Sequence, residues 1–199
     1  MNSQHLANHS VEEGRLLTSR RRFLKQLACG SLLAVAGPKL ATAALRGGSY
    51  GPSHKLIALE NTNTGEKLKV AFFERGHYVD DALAEISYLF RDFHTGDVHP
   101  IDPFLLDQLH EIQQSLGIVK PFEVISGYRS PYTNAHLRKQ SHRVAKHSLH
   151  MEGRAIDIRV AGVESRYIRD AAVAMQRGGV GYYPYANFVH LDTGDIRTW

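Results

Sequence analysis

The sequence predicts an α+β fold: a single domain with helices packed on a mainly antiparallel sheet. Alternating apolar runs that suit half-buried strands stand near residues 55–73 and again after residue 155, and segments with helical spacing lie mainly between them. Strands, then helices, then strands again favour helices gathered against an antiparallel sheet over the regular βα alternation of a parallel one. No internal repeat or low-complexity tract interrupts this order.

The elements follow in turn. Residues 44–53, with three glycines and a proline, read as a flexible lead-in, and the folded domain is expected over 54–199. Residues 55–60 and 67–73 read as strands joined by a hairpin turn at Asn61-Thr-Asn-Thr-Gly65-Glu. A helix is expected from about 80 to 93, where Leu83, Ile86, Leu89, Phe90 and Phe93 follow helical spacing and Asp80 or Asp81 can cap it. Asp102-Pro103 opens a second helix as a cap followed by proline in the first turn. It carries Phe104, Leu105, Leu109, Ile112 and Leu116 and stops near Gly117. Residues 122–125 form a short buried strand ending in the turn Ser126-Gly-Tyr-Arg129-Ser-Pro131, and 133–140 a short helix. Residues 141–153 are polar and irregular. Residues 155–160 alternate as a strand, 164–177 form a third long helix ending at Gly178-Gly179, and 180–183 and 188–192 are closing strands with Pro184 in the turn.

The N-terminus sets the expected compartment. Ser19-Arg20-Arg21-Arg22-Phe23-Leu24-Lys25 precedes a moderately apolar run over 27–36, the pattern of a twin-arginine export signal read by the Tat translocase. Ala41-Thr42-Ala43 supplies the small-x-small pattern for cleavage, so residues 1–43 are expected to leave and the rest to work in the periplasm. The run is too short, and too broken by Gly30 and Gly37, for a stable membrane anchor. Of 24 basic and 20 acidic residues, the signal takes six and two, leaving 18 of each. The high overall pI therefore belongs to the signal and does not argue for nucleic acid. The single cysteine, Cys29, leaves with it, so the domain must be held by its core and by any metal it binds.

The residues that carry chemistry are His150 and Asp157, in Ser148-Leu-His150-Met-Glu-Gly153-Arg-Ala155-Ile-Asp157, and His190, in Phe188-Val-His190-Leu-Asp192. Strand side chains alternate between faces. Ile156, Ile158 and Val160 share the core face, so Asp157 points the other way. Val189 and Leu191 share a face, so His190 lies opposite with Phe188 and Asp192. If the two strands are neighbours, Asp157 and His190 converge, and His150 reaches in from the preceding loop, with Gly153 allowing a tight turn. Two imidazoles and one carboxylate suit a catalytic zinc, where three protein ligands leave a fourth position open. Other divalent metals accept the same donors.

These residues resemble the zinc D-alanyl-D-alanine peptidases, which share their fold with VanX-type dipeptidases and the Hedgehog signalling domain. Ser126-Gly-Tyr-Arg-Ser130, Asn134, the run Gly178-Gly-Val-Gly-Tyr-Tyr-Pro184, Asn187-Phe-Val-His190-Leu-Asp-Thr-Gly194 and Trp199 resemble the YcbK-like branch of murein endopeptidases K over essentially the whole mature chain. The resemblance implies zinc on His150, Asp157 and His190. It implies hydrolysis of peptidoglycan stem peptides and cross-links, with a D,D- or L,D-carboxypeptidase or a non-catalytic wall-binding domain as alternatives. VanX-like relatives carry a glutamate three residues before the last histidine, where this chain has Asn187. Asp192 is the substitute candidate for the general base, on the same strand face as His190. The other reading of Asp192, that it orients His190 through the free ring nitrogen, stays open. Arg129 corresponds to the family's arginine that contacts the oxyanion or a substrate carboxylate. Ser148 is expected to orient the ligand loop and contact substrate, and Tyr182 to line the cleft. Tyr183 and His147 are weaker candidates for the same surface.

Overall fold

The structure is a computed structural model, and it describes residues 54–141 and 144–199. The described residues all belong to one compact unit. The twin-arginine signal, its cleavage site and the lead-in at 44–53 lie outside the described residues. Among the described residues no helix is long and apolar enough to cross a membrane.

Among the described residues, eight strands form one mixed sheet: β1 (His54–Asn61), β2 (Lys67–Glu74), β3 (His77–Tyr78), β4 (Phe122–Ser126), β5 (Ala155–Arg159), β6 (Gly179–Tyr183), β7 (Phe188–Asp192) and β8 (Arg197–Thr198). Their spatial order is β3-β2-β1-β4-β5-β7-β6-β8. Only β1–β4 and β6–β8 run parallel, so the sheet is mainly antiparallel. The helices among the described residues are α1 (Asp80–Leu89), α2 (Pro103–Leu116), α3 (Pro131–Gln140) and α4 (Ser165–Met175). Helix α1 packs on β2, α2 on β1 and α4, and α4 on β6 and β7. The core lies between these helices and the sheet. Ile156 and Ile158 of β5, Val189 and Leu191 of β7, and Leu105, Leu106, Leu109 and Ile112 of α2 are fully buried in it. Each such side chain contributes about 1.5–3 kcal/mol relative to an exposed one.

The ends of the helices show what local sequence decides. Asp102 caps α2 by accepting the Phe104 N–H at 3.0 Å, and Gly117 closes it in the left-handed conformation. The buried stripe is Leu105, Leu106, Leu109 and Ile112, and Phe104 is exposed. Helix α1 differs more from expectation. Val79 is its N-cap without a side-chain bond, and Asp80 and Asp81 act only through the helix dipole. It stops at Leu89 because the carbonyl of Phe90 accepts from Tyr128 N and the buried Asp92 accepts from the N–H groups of His94 and Ser130. Phe93 consequently falls outside the helix and is exposed. Helix α3 begins two residues earlier than expected because Ser130 caps it, accepting from Thr133 N. Alternation does not reveal strands as short as β3 and β8, which the sequence reading lacks.

Gly153 has φ +66°, and a Cβ there would run into the carbonyl of Pro100. Gly153→Ala is expected to destabilise the protein by at least ~2 kcal/mol, combining left-handed strain with that collision. Chemical denaturation would measure it, and a wild-type midpoint would refute the expectation.

Candidate metal centre and its cleft

Asp157 of β5 stands directly across from His190 of β7 in the antiparallel ladder, and Gly181 of β6 is opposite His190 on the other side. The β4–β5 register shifts between Val124 and Ser126, a bulge beside Asp157 of the kind that re-aims side chains. His150 comes from a 3₁₀ turn, Leu149–Glu152, which closes on Gly153 and feeds straight into β5. Strand alternation puts Ile156 and Ile158 in the core and Asp157 on the opposite face with His190, as the parity argument requires.

One ligand atom each from His150, Asp157 and His190 lies within 4.8 Å of the others. The separations are 2.9 Å from His190 Nδ1 to Asp157 Oδ1, 3.2 Å from His150 Nε2 to His190 Nδ1 and 3.4 Å from His150 Nε2 to Asp157 Oδ1. Four ligands at zinc distances stand roughly 3.3–3.4 Å apart, so these donors already lie near the edges of a tetrahedral face. Both outward ring nitrogens are engaged. His150 Nδ1–H donates to the Gly127 carbonyl at 2.8 Å, and His190 Nε2–H donates to Asp192 Oδ2 at 3.0 Å. Each imidazole therefore turns its other nitrogen inward, the arrangement that outer partners impose on metal-binding histidines. The donor set fits a divalent cation.

The electrostatics agree with that arrangement. Burial pushes His150 below its ordinary value, against the pull of Asp157, so its ring is neutral and its inward lone pair available. Asp157 is held far below the usual carboxylate range: burial opposes ionisation, but the neighbouring imidazoles of His150 and His190 outweigh it. Burial also opposes the charged form of His190, yet hydrogen bonds to Asp157 and Asp192 raise it to about 9. A metal ion must displace that proton. In protein stripped of metal, apparent zinc affinity is expected to fall about tenfold per pH unit below 9. The raised His190 value also stabilises that stripped fold most below the free-histidine range. The stability should be lost as pH rises from about 6.5 through 9. Zinc competition and thermal melts across this window would check both; an affinity that does not vary with pH would contradict the first.

The three residues line a cleft of about 500 Å³ with Arg129, Ser148, Tyr183 and Trp199 on its walls. The Arg129 guanidinium is largely buried, 3.2 Å from Ser126 Oγ and 3.7 Å from Asp157 Oδ2. Ser148 immediately precedes the 3₁₀ turn, and its carbonyl accepts from Met151 N. His147 is exposed on the same wall. Tyr182 is elsewhere: alternation along β6 turns it to the helix face, where it packs on the core with Arg169 over its ring. Its neighbour Tyr183 faces the cleft, its hydroxyl accepting from Trp199 Nε1 at 2.8 Å. Asn187 sits in an exposed left-handed turn. Asp192 is fully buried behind His190, with Oδ1 accepting from Gly179 N and Gly194 N and both oxygens meeting Arg197. A general base needs a lone pair facing the attacked water. The oxygens of Asp192 are occupied, so its geometry favours the orienting role over the base role.

Arg197 and Trp199 are the site residues that sequence reasoning did not place in the cleft. The Trp199 ring lies 5.2 Å from that of His190, and Gly181 leaves room for it, since a Cβ there would stand 2.7 Å from the indole. That glycine between apolar strand residues was the available signal for Trp199. Arg197 had none.

A family model described as Peptidoglycan L,D-endopeptidase MepK matches residues 49–199. The chain is 44% identical over 172 residues to the Peptidoglycan L,D-endopeptidase MepK of Escherichia coli strain K12, covering 84% of this chain and 94% of that one. The same identity, over the same shares, relates it to the protein of that name from Shigella flexneri. It is 44% identical over 149 residues to the Probable peptidoglycan L,D-endopeptidase MepK of Haemophilus influenzae, covering 74% and 80%. No solved structure matches.

Proposed function

The chain belongs to the family of MepK-type peptidoglycan L,D-endopeptidases, and from that premise we propose that it is a periplasmic, zinc-dependent endopeptidase of peptidoglycan cross-links. The proposed scissile bond joins an L-configured to a D-configured centre. Periplasmic delivery rests on the twin-arginine pattern at 20–25, with residues 1–43 as the proposed cleaved signal and 54–199 as the catalytic domain. The observation that carries the reading is the convergence of His150, Asp157 and His190 in an open cleft. Zinc is the proposed metal because two imidazoles and a carboxylate, with a fourth position open, form a donor set it favours for hydrolysis.

The chemistry such an ion supplies when bound is Lewis acidity toward water and toward the scissile carbonyl. The remaining work falls to the chain's own groups. Arg129, fixed between Ser126 and Asp157, presents guanidinium N–H groups to the oxygen on which negative charge develops. Asp192 keeps His190 in one orientation. Ser148 holds the start of the ligand turn, and Tyr183 and Trp199 line the same cleft. Between Glu123 and Glu152 the sequence carries five Lys or Arg and no acidic residue. Of these, Arg138, Lys139 and Lys146 are exposed, which supports a substrate bearing free carboxylates such as a stem peptide.

The test is digestion of isolated sacculi by the purified protein, with and without a chelator, followed by muropeptide separation. Chelator-sensitive loss of cross-linked dimers is expected. Shortening of monomer stems alone would replace the endopeptidase reading with a carboxypeptidase one, and unchanged sacculi would end the hydrolase reading.

A further inference from the structure

We infer that Arg197 is a positioning residue for the metal centre, acting on His190 through Asp192. The inference rests on the metal reading above. Asp192 is fully buried and holds two cationic partners at once: Oδ2 accepts from His190 Nε2 at 3.0 Å and from Arg197 Nη2 at 2.6 Å. Oδ1 accepts from Arg197 Nη1 at 3.2 Å and from the N–H groups of Gly179 and Gly194, each at 2.9 Å. The guanidinium thus grips both oxygens, and a planar fork sets the plane of a carboxylate as well as its charge. Without it, the carboxylate would keep two backbone N–H groups on Oδ1 but, on Oδ2, nothing beyond the His190 bond itself among the described residues. Oδ2 would then be free to turn away from the ring it orients.

The surroundings are shaped for this grip. A Cβ at Gly179 would collide with Asp192 and stand 2.6 Å from Arg197 Nη1, and one at Gly194 would crowd both side chains. The guanidinium lies 5.1 Å from the centre of the Trp199 ring, which in turn lies 5.2 Å from the His190 ring. Strand β8 brings Arg197 there by pairing with Gly179 and Val180 of β6. Among the described residues, Arg197 otherwise donates to the Asp195 carbonyl on its own turn. A two-residue strand with no core of its own therefore sets the direction of a ligand ring on β7.

Zinc affinity of the full chain, read by competition with a chromophoric chelator, tests this without reference to turnover. Arg197→Gln is expected to weaken zinc binding about tenfold or more, the scale of losing an outer partner of a ligand. Arg197→Lys should lose less, because an ammonium grips one point rather than two. In an Asp192→Asn background, Arg197→Gln should cost little further, because the path to His190 is already cut. Wild-type affinity in both Arg197 variants, or losses that multiply in the double variant, would overturn the inference and leave Arg197 as a strand staple. If Arg197→Gln fails to fold, Arg197→Lys alone and with Asp192→Asn completes the same cycle. A wild-type chain that binds no zinc would instead refute the metal reading on which the inference stands.

Discussion

Asp157→Ala is expected to abolish stoichiometric metal binding and to lower cross-link hydrolysis by on the order of 10³-fold. The lost Lewis-acid chemistry is worth several kcal/mol, and each 1.4 kcal/mol is about tenfold in rate. Asp157 is the proposed ligand whose removal should do most damage, because Oδ1 approaches both histidines, at 2.9 and 3.4 Å, while Oδ2 faces Arg129 at 3.7 Å. Its removal takes from Arg129 the first of the two carboxylates that support its charge and leaves Asp92. The fold should survive, because Ile156 and Ile158 on the other face of β5 keep their core contacts. His150→Ala provides the parallel case, with the β5–β7 ladder untouched. Elemental analysis and muropeptide release would be measured together. A folded Asp157→Ala protein that retained one tightly bound metal per chain would remove Asp157 from the ligand set.

Arg129→Ala is expected to lower kcat by roughly 10²–10³ with metal content unchanged, the usual effect of deleting one donor to a developing oxyanion. Burial disfavours the charge of Arg129 and holds it below its ordinary value, with Asp157 and Asp92 countering part of that burial. The guanidinium is thus held ready in a partly dry site, where its field is worth more than in water. Arg129→Lys should recover only part of the rate, since a single ammonium cannot reach both Ser126 and a substrate oxygen. Metal loss in step with activity would change the assignment, making Arg129 a support for Asp157 instead.

Much of the fold was legible because its signals are local. The cap-proline pair at Asp102-Pro103, the hairpin turn at 61–66 and the alternation of 155–160 each depend on neighbours within a few residues. The errors arose where distant groups intervened. Helix α1 ends early because Phe90 and Asp92 bond to the turn at Tyr128 and Ser130, nearly 40 residues on. Phe104 matched the helical stripe by spacing, yet the sheet lies on the side of Leu105 and Leu106. Tyr182 and Tyr183 are adjacent aromatics on one strand. Nothing local says which of them faces the cleft until the register of β6 against His190 is known.

By itself, the sequence determined that Asp157 and His190 lie off the core faces of their strands, because alternation follows from backbone geometry alone. It also put His150 on a glycine-closed turn leading into one of those strands. Only the tertiary structure decided that β5 and β7 are neighbours with Asp157 level with His190, since register is set by pairing across 33 residues of chain. It also decided which groups Asp192 meets. A carboxylate two residues from a histidine can accept a proton or hold a ring. The choice depends on which donors from Gly179, Gly194 and Arg197 reach its oxygens, and folding supplies that information.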